Sequence, residues 1–485
     1  MYASPDAISE WAEWAVEGGD DRPLILCEYS HSMGNSNGGL DAYWEAFWKH
    51  DQLGGGFVWD WRDQGLREVT DDGTEWFAYG GHYGDVPNDA NFCINGLVDP
   101  DLEPHLGLAE LKWLARPVTA TVVDTDGALI RIRLHNRRSH TDTSDLEFRW
   151  QLVADGTVLA DGSIDAQPIA AGTKCDVELS IGDTFAAAEL DDLFDHDQFD
   201  HVVLTIEVQL AADSMWAEAG HSVGHDQYRW PAAVTAPSHL MTMSSDAAQS
   251  AASIVQQATP TVWRAPTDND GVAQGWMSEV SGIRPQWNAW ELYDADLSSF
   301  HHRTIDEHVV NGREVVLSIV DVFELPTQWD DLPRIGVMFD LPASFDSIRW
   351  SGLGPGESYS DRCSAAKQGT WESTVAAQYH RFVVPQEHGA HFDTTWFELV
   401  DRHDGTVVRI EAAEPFSFSA RDHTDAALTA ATTLAELERA SHVEVHVDVA
   451  MRGLGTAACG PDVRHTCKVR GGRHELRWWL SVRPV

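Results

Sequence analysis

The residue on which chemistry converges is Glu28. It follows the apolar run Pro23-Leu24-Ile25-Leu26-Cys27 and opens the polar stretch Glu28-Tyr29-Ser30-His31-Ser32-Met33-Gly34-Asn35. A carboxylate at the C-terminal end of a parallel strand stands where α/β barrels place catalytic groups. Kept ionised there, it needs polar neighbours to offset desolvation, and Tyr29, His31 and Asn35 could provide them. The structural alternative is a strand-end glutamate satisfied by a helix N-terminus. Trp59 sits at the matching end of a second apolar run, where an aromatic face can stack on a sugar ring, although most of the 21 Trp residues belong in a core. The loop from Gly80 to Asp89 is too polar and glycine-rich for a core, and Phe92-Cys93-Ile94-Asn95-Gly96 closes it. Gly352-Leu353-Gly354-Pro355-Gly356-Glu357 imitates a phosphate loop but lacks the following Lys-Ser/Thr and helix. No H-E-x-x-H metal pattern occurs among the 23 histidines.

The elements that must hold these residues change character twice. Ser4-Pro5 reads as an N-cap with proline in the first turn, and Ile8, Trp11, Trp14 and Ala15 mark an apolar helical face. Leu24–Cys27 suits a strand buried on both faces. Leu40, Tyr43, Trp44, Phe47 and Trp48 recur at helical spacing, Gly54-Gly55-Gly56 stops that helix, and Phe57–Trp61 reads as a second buried strand. Strand, helix and strand make a βαβ unit. From about Val118 the pattern is all-β, with strands over 119–123, 130–134, 148–153, 202–208 and 216–223, as in a sandwich of about 115 residues. The Ser/Ala-rich segment 238–257 reads as a linker. Further strands at 315–322, 335–339, 407–410, 443–449 and 475–482 form a larger β-domain.

Composition excludes several classes. With 77 acidic and 33 basic residues the formal charge is -44, which argues against nucleic acid and anionic membrane surfaces. Hydrophobic residues at 43% support a folded core. No window reaches the ~18 apolar residues of a membrane helix, and the acidic start lacks the features of a signal peptide. The six scattered cysteines fit reduced thiols in a cytoplasm.

The segment from Pro23 to Ser36 resembles the nucleophile segment of the large β-galactosidases of glycoside hydrolase family 2. The similarity runs on through Gly55–Gln64, Tyr79-Gly80-Gly81, Gly84-Asp85, Pro87-Asn88-Asp89, Phe92–Leu97 and Pro104-His105. Arg264-Ala265-Pro266-Thr267-Asp268-Asn269-Asp270, the stretch from Gly352 to Arg362, and Pro385-Gln386-Glu387-His388-Gly389 resemble motifs of the family's last β-domain. The resemblance implies a multidomain chain. Residues 1–117 would be the C-terminal part of a (β/α)8 TIM barrel and 118–235 an immunoglobulin-like β-sandwich. Residues 236–485 would be the large C-terminal, galactose-mutarotase-like β-sandwich called the small chain.

It implies retaining hydrolysis of terminal β-D-galactosides, lactose among them, through a covalent galactosyl-enzyme on Glu28. Tyr2 would hydrogen-bond the nucleophile, His31 and Asp89 would contact the sugar, and Trp59 would stack near it. Asn95 and the Phe92 carbonyl would help to hold a sodium ion. Cys459 stands where the family often has an aromatic residue reaching the site, and Ala90 where a basic residue occurs. The acid/base glutamate and the magnesium ligands belong to family segments that precede this sequence. The expected partner is therefore an N-terminal β-galactosidase portion, in the same gene or as a separate chain, and the full-length form is expected to be a homo-oligomer. The alternative is a non-catalytic carbohydrate-binding or structural fragment. The stretch between Pro237 and Arg264 is shorter than in the family, which implies an exposed sheet edge.

Overall fold

The computed structural model describes residues 1–181, 199, 201–230, 243–270, 286–310 and 314–483. The chain folds as two compact units, one comprising Met1–Glu110, His239–Ala366 and Glu372–Val485, the other Leu111–Ser238 with Lys367–Trp371. Among the described residues no helix is long and apolar enough to cross a membrane.

In the first unit, α1 (Pro5–Gly18) starts at Ser4, whose hydroxyl accepts the Ala7 N–H at 3.2 Å, and ends at Gly19, where φ is 68°. Its buried residues are Ile8, Ala12 and Ala15, whereas Trp14 is exposed. Of the expected face Ile8 and Ala15 are buried and Trp11 is half-buried, while Ala12 takes the place expected of Trp14. There follow β1 (Leu24–His31), α2 (Leu40–Lys49) and β2 (Leu53–Trp59), with β1 and β2 paired in parallel, the expected βαβ unit.

Three details differ from the sequence reading. β1 runs three residues past Glu28, which therefore lies inside the strand. The strands are not covered on both faces: Ile25 is 57% and Phe57 65% exposed. Among the described residues β1 and β2 form a sheet of two strands, so neighbours that would cover these side chains are lacking. The glycine triplet does not stop α2, which ends at Lys49, but lies within β2. A Cβ at Gly56 would come 2.8 Å from Leu26 Cβ and 2.9 Å from Tyr29 Cδ1, so the strand needs glycine for close approach. A hairpin of β3 (Leu66–Val69) and β4 (Glu75–Ala78) and then α3 (Leu106–Leu114) follow.

The second unit contains β5 (Val118–Asp126), β6 (Leu129–Asn136), β7 (Leu146–Ala154), β8 (Thr157–Ile164), β9 (Lys174–Ser180), β10 (Val202–Leu210) and β11 (Ser222–Arg229). They form two antiparallel sheets, β5-β6-β9 and β11-β10-β7-β8. Ile130, Ile132 and Leu134 of one sheet share a core with Phe148, Leu152 and Ile206 of the other, a β-sandwich built on strict alternation. The strand anticipated over Trp216–Val223 begins only at Ser222, and Trp216 is exposed. Ser214 turns the chain there, its N–H and hydroxyl both donating to the Ala217 carbonyl.

The rest of the first unit opens with α4 (Ser245–Gln257), where the sequence suggested a linker. Ser244 caps the helix, and Ala247, Ala248, Ala251 and Val255 are buried. Small side chains at helical spacing let it lie close on a sheet, and their low bulk hid it from a hydrophobicity reading. Then come β12 (Thr259–Thr261), β13 (His301–Val310), β14 (Glu314–Leu325), β15 (Arg334–Pro342) and β16 (Phe345–Gly354). β17 (Lys367–Thr374) begins in the second unit and is followed by β18 (His391–Asp401), β19 (Val407–Arg421), α5 (Asp425–Ala430), β20 (His442–Met451) and β21 (Gly472–Arg483). The large antiparallel sheet runs β12-β15-β20-β19-β18-β16, with β13-β14-β21 joined to β19. The three residues of β12 form its margin beside β15. Trp350, Phe397, Phe418 and Trp478 lie in its core.

Candidate active site

Glu28 lies on β1 three residues before the strand ends. The Tyr2 N–H donates to the Glu28 carbonyl at 2.9 Å, and the Tyr2 hydroxyl lies close enough to the Glu28 carboxylate and the Cys459 thiol for both to raise its pKa. Burial, reinforced by the Glu28 carboxylate, pushes the Tyr2 phenol far above its ordinary range, so it remains a neutral donor. Cys459 is also shifted up, by burial and then by the charge of Glu28, and so stays a thiol.

His31 pairs in register with Trp59 at the C-terminal ends of the two strands. Its ring is fully buried, stacks on Phe92 at 5.4 Å and meets the edge of Tyr2 at 6.1 Å. Neither ring nitrogen has a hydrogen-bond partner. Desolvation lowers its pKa to about 4, leaving a neutral imidazole with one donor and one acceptor. Trp59 is 42% exposed. Asn95 is buried; its Nδ2 donates to the Phe92 carbonyl at 2.8 Å, while Oδ1 has no partner. The Asp60 N–H donates to the Asn95 carbonyl at 2.6 Å, tying this turn to the end of β2. Asp89 is exposed, and its carbonyl accepts the Phe92 N–H at 3.1 Å. The structure therefore brings Tyr2, Glu28 and Cys459 near one another and links His31, Phe92 and Asn95 beside them. The Asp89 side chain is not drawn into this network.

The loop after β1 is fixed by residues whose role sequence spacing did not reveal. Gly34 has φ 59°, and a Cβ there would meet Asp268 Oδ2 and the Gln386 amide at 2.4 Å. Gln386 Oε1 accepts the N–H groups of Asn35 at 2.9 Å and Asp268 at 3.1 Å. Asn269 Nδ2 donates to the carbonyls of Met33 and Asn35, and its Oδ1 accepts the Ala458 N–H at 3.2 Å. One buried amide thus joins the loop after Glu28 to the residue preceding Cys459. Arg362 donates to the Ser36 carbonyl at 2.8 Å and pairs with Glu357, so the glycine-rich 352–357 segment leads into a brace for this loop rather than into a phosphate site. On the far side of Asn95, Asp63 accepts the Gly96 N–H at 2.6 Å and bonds His105 at 2.8 Å, and His105 bonds His380 at 2.7 Å. The readable signal was that these polar residues fall inside the conspicuous motifs.

Asp425, Glu444 and His446 also cluster with atoms close enough to hold a metal ion. Two guanidinium groups already occupy that cluster, Arg421 on Asp425 at 2.5 Å and Arg334 on His446 Nδ1 at 2.7 Å. It is a buried ion network and does not fit a metal.

Three family models account for the chain: "Glycosyl hydrolases family 2, TIM barrel domain" over residues 1–120, "Beta-galactosidase, domain 4" over 132–231, and "Beta galactosidase small chain" over 239–480. The chain belongs to the β-galactosidases of glycoside hydrolase family 2. This family 2 chain is 32% identical to a β-galactosidase of Arthrobacter sp. (strain B7), over 91% of its own length and 48% of that protein. It is 31% identical to one from Aeromonas hydrophila over 81% and 42%, and 28% identical to one from Actinobacillus pleuropneumoniae over 99% and 49%. The chain spans about half the length of the curated relatives it matches. A crystal structure of Bacteroides uniformis β-glucuronidase aligns at 10% identity with a TM-score of 0.19, covering 100% of this chain and 44% of that one, a likeness too weak to carry an argument.

Proposed function

We propose that the residues around Glu28 are the nucleophile half of a retaining β-galactosidase site, acting on terminal β-D-galactosides such as lactose. The observation that carries this reading is the Glu28 carboxylate three residues before the end of a parallel strand, with the Tyr2 hydroxyl and Cys459 beside it. One carboxylate oxygen attacks the anomeric carbon as the glycosidic C–O bond breaks, giving a galactosyl ester, and water then hydrolyses it with retention. Tyr2, held neutral, donates to the carboxylate and orients it. The neutral His31 offers one N–H and one lone pair to sugar hydroxyls, and the exposed Trp59 indole offers a stacking face.

The Asn95 Oδ1, buried without a partner, and the nearby Phe92 carbonyl form an oxygen pair that fits a hard cation such as sodium. When bound, such an ion anchors a sugar hydroxyl. No described group of residues fits the magnesium site implied by the resemblance.

The acid that protonates the leaving oxygen must stand about 5–5.5 Å from the nucleophile. We assign it to barrel segments outside these residues, in a protein divided as 1–117 barrel, 118–235 immunoglobulin-like sandwich and 236–485 mutarotase-like sandwich. The exposed Ile25 and Phe57 favour this arrangement, since further barrel strands would cover them. The test is to assay an aryl β-galactoside with the chain alone and with an N-terminal β-galactosidase polypeptide carrying the remaining barrel. Turnover is expected only with both, and none with Glu28→Gln. Turnover by the pair that survives Glu28→Gln refutes the assignment.

A further inference from the structure

We propose that the second unit binds a neutral saccharide in a cleft on the solvent face of the sheet β11-β10-β7-β8, an inference independent of the reading of Glu28. The cleft has a volume of about 440 Å³, within the range of about 300–1,000 Å³ usual for small-molecule sites. Strand alternation makes its floor. Along β10, Leu204, Ile206 and Val208 enter the core, which turns Thr205, Glu207 and Gln209 outward. Thr205 is in register with Gln151 on one side and Gln227 on the other, giving a row of hydrogen-bonding side chains across three strands.

The segment Lys367–Trp371 forms a wall. Gln227 locks onto it, donating to the Thr205 hydroxyl at 2.9 Å and the Gln368 carbonyl at 3.1 Å, and accepting the Gln368 N–H at 2.7 Å. Gln368 is among the residues lining the cleft, at 4% exposure, and its buried Nε2 and Oε1 have no partner. A primary amide offers two donors and an acceptor. Native structures rarely leave such a group unmet, because an unsatisfied buried polar group is destabilising. Hydroxyl groups, which both donate and accept, are the ligand chemistry that satisfies both ends of the amide.

Charge selects against ions. Arg149 and Lys367 face Asp161 and Glu207 in the cleft lining, and Lys367 lies 3.5 Å from Glu207, so the lining is balanced. Apolar Val153, Val158 and Val203 and the Trp371 indole supply surface for the C–H face of a pyranose. Hydroxyl-satisfying amides, balanced charge and an aromatic face together specify an uncharged sugar.

The full chain is titrated by calorimetry with lactose, cellobiose and maltose, as wild type and as Gln368→Leu, Trp371→Ala and His31→Ala. At least one sugar is expected to bind saturably. Gln368→Leu and Trp371→Ala should weaken that binding about tenfold or more, and His31→Ala should leave it unchanged. In the absence of sugar Gln368→Leu should also raise the melting temperature, since it removes an unsatisfied amide. It carries the test alone if Trp371→Ala fails to fold. No binding of any of the three sugars, binding equal in wild type and Gln368→Leu, or binding lost with His31→Ala overturns the proposal.

Discussion

Two groups beside Glu28 are held neutral for opposite reasons: burial and a neighbouring carboxylate stop Tyr2 from losing its proton, and burial alone stops His31 from gaining one. On the proposed assignment Tyr2→Phe removes a donor to the Glu28 carboxylate, so in the active pairing with an N-terminal polypeptide kcat should fall about 10–100-fold with KM little changed. Steady-state kinetics on an aryl galactoside would read that split, and a KM effect without loss of kcat would place Tyr2 elsewhere in the cycle. Cys459 can be checked in the chain alone. Its raised pKa and partial burial, against the exposure of Cys27, predict that iodoacetamide at pH 8 modifies Cys27 first, about tenfold faster, by peptide mass spectrometry. The position of Glu28 was partly legible in the sequence, because a carboxylate at the end of an apolar run is a local pattern. The parts proposed for Tyr2 and Cys459 rest on resemblance alone, since 457 positions separate two side chains that come near each other only after folding.

Periodic elements were legible wherever hydrophobic spacing dictates them, as in β1, α2 and β10. They were misread where glycine or alanine carries packing information that a hydrophobicity pattern does not weigh. Gly56 shows the first case: Gly56→Ala drives a methyl into Leu26 and Tyr29 and should cost about 1–3 kcal/mol, measured by urea unfolding. The alanines of α4 show the second, being buried in close contact yet adding little to any hydrophobic signal. The brace around the loop after β1 was not readable from spacing, because its hydrogen bonds join residues more than 200 positions apart. Asn269→Ala strips the Met33 and Asn35 carbonyls and the Ala458 N–H of their partner at once. It should lower stability by about 2–4 kcal/mol and speed alkylation of Cys459, which a purely local effect on β-domain packing would leave alone.

For the molecule as a whole, buried histidines set the response to acid. His31 and His225 titrate at about 4, and His380, His388 and His391 at about 3, in each case mainly because burial disfavours the charged ring. Between these values and the unfolded value near 6.5 the unfolded chain binds protons that the folded chain does not, so stability falls as pH drops through this window. Each ring should contribute about 1–2 kcal/mol of loss by pH 5. Asp448, raised to about 6 by burial, and Asp63, Glu110, Asp226 and Glu357, also raised by burial, work in the opposite sense and offset part of this loss. The urea midpoint should therefore be clearly lower at pH 5 than at pH 7, and an equal or higher midpoint would contradict this account. The brace also has a consequence for biosynthesis. The Asn35 N–H takes its partner, Gln386 Oε1, from 351 positions later, at 2.9 Å. At roughly 5–20 residues per second, translation supplies that partner about 18–70 s after Asn35 has been made. For that interval the loop beside Glu28 stays without its far anchor, so the synthesis of residues around Gln386 decides when those around Asn35 take their final form.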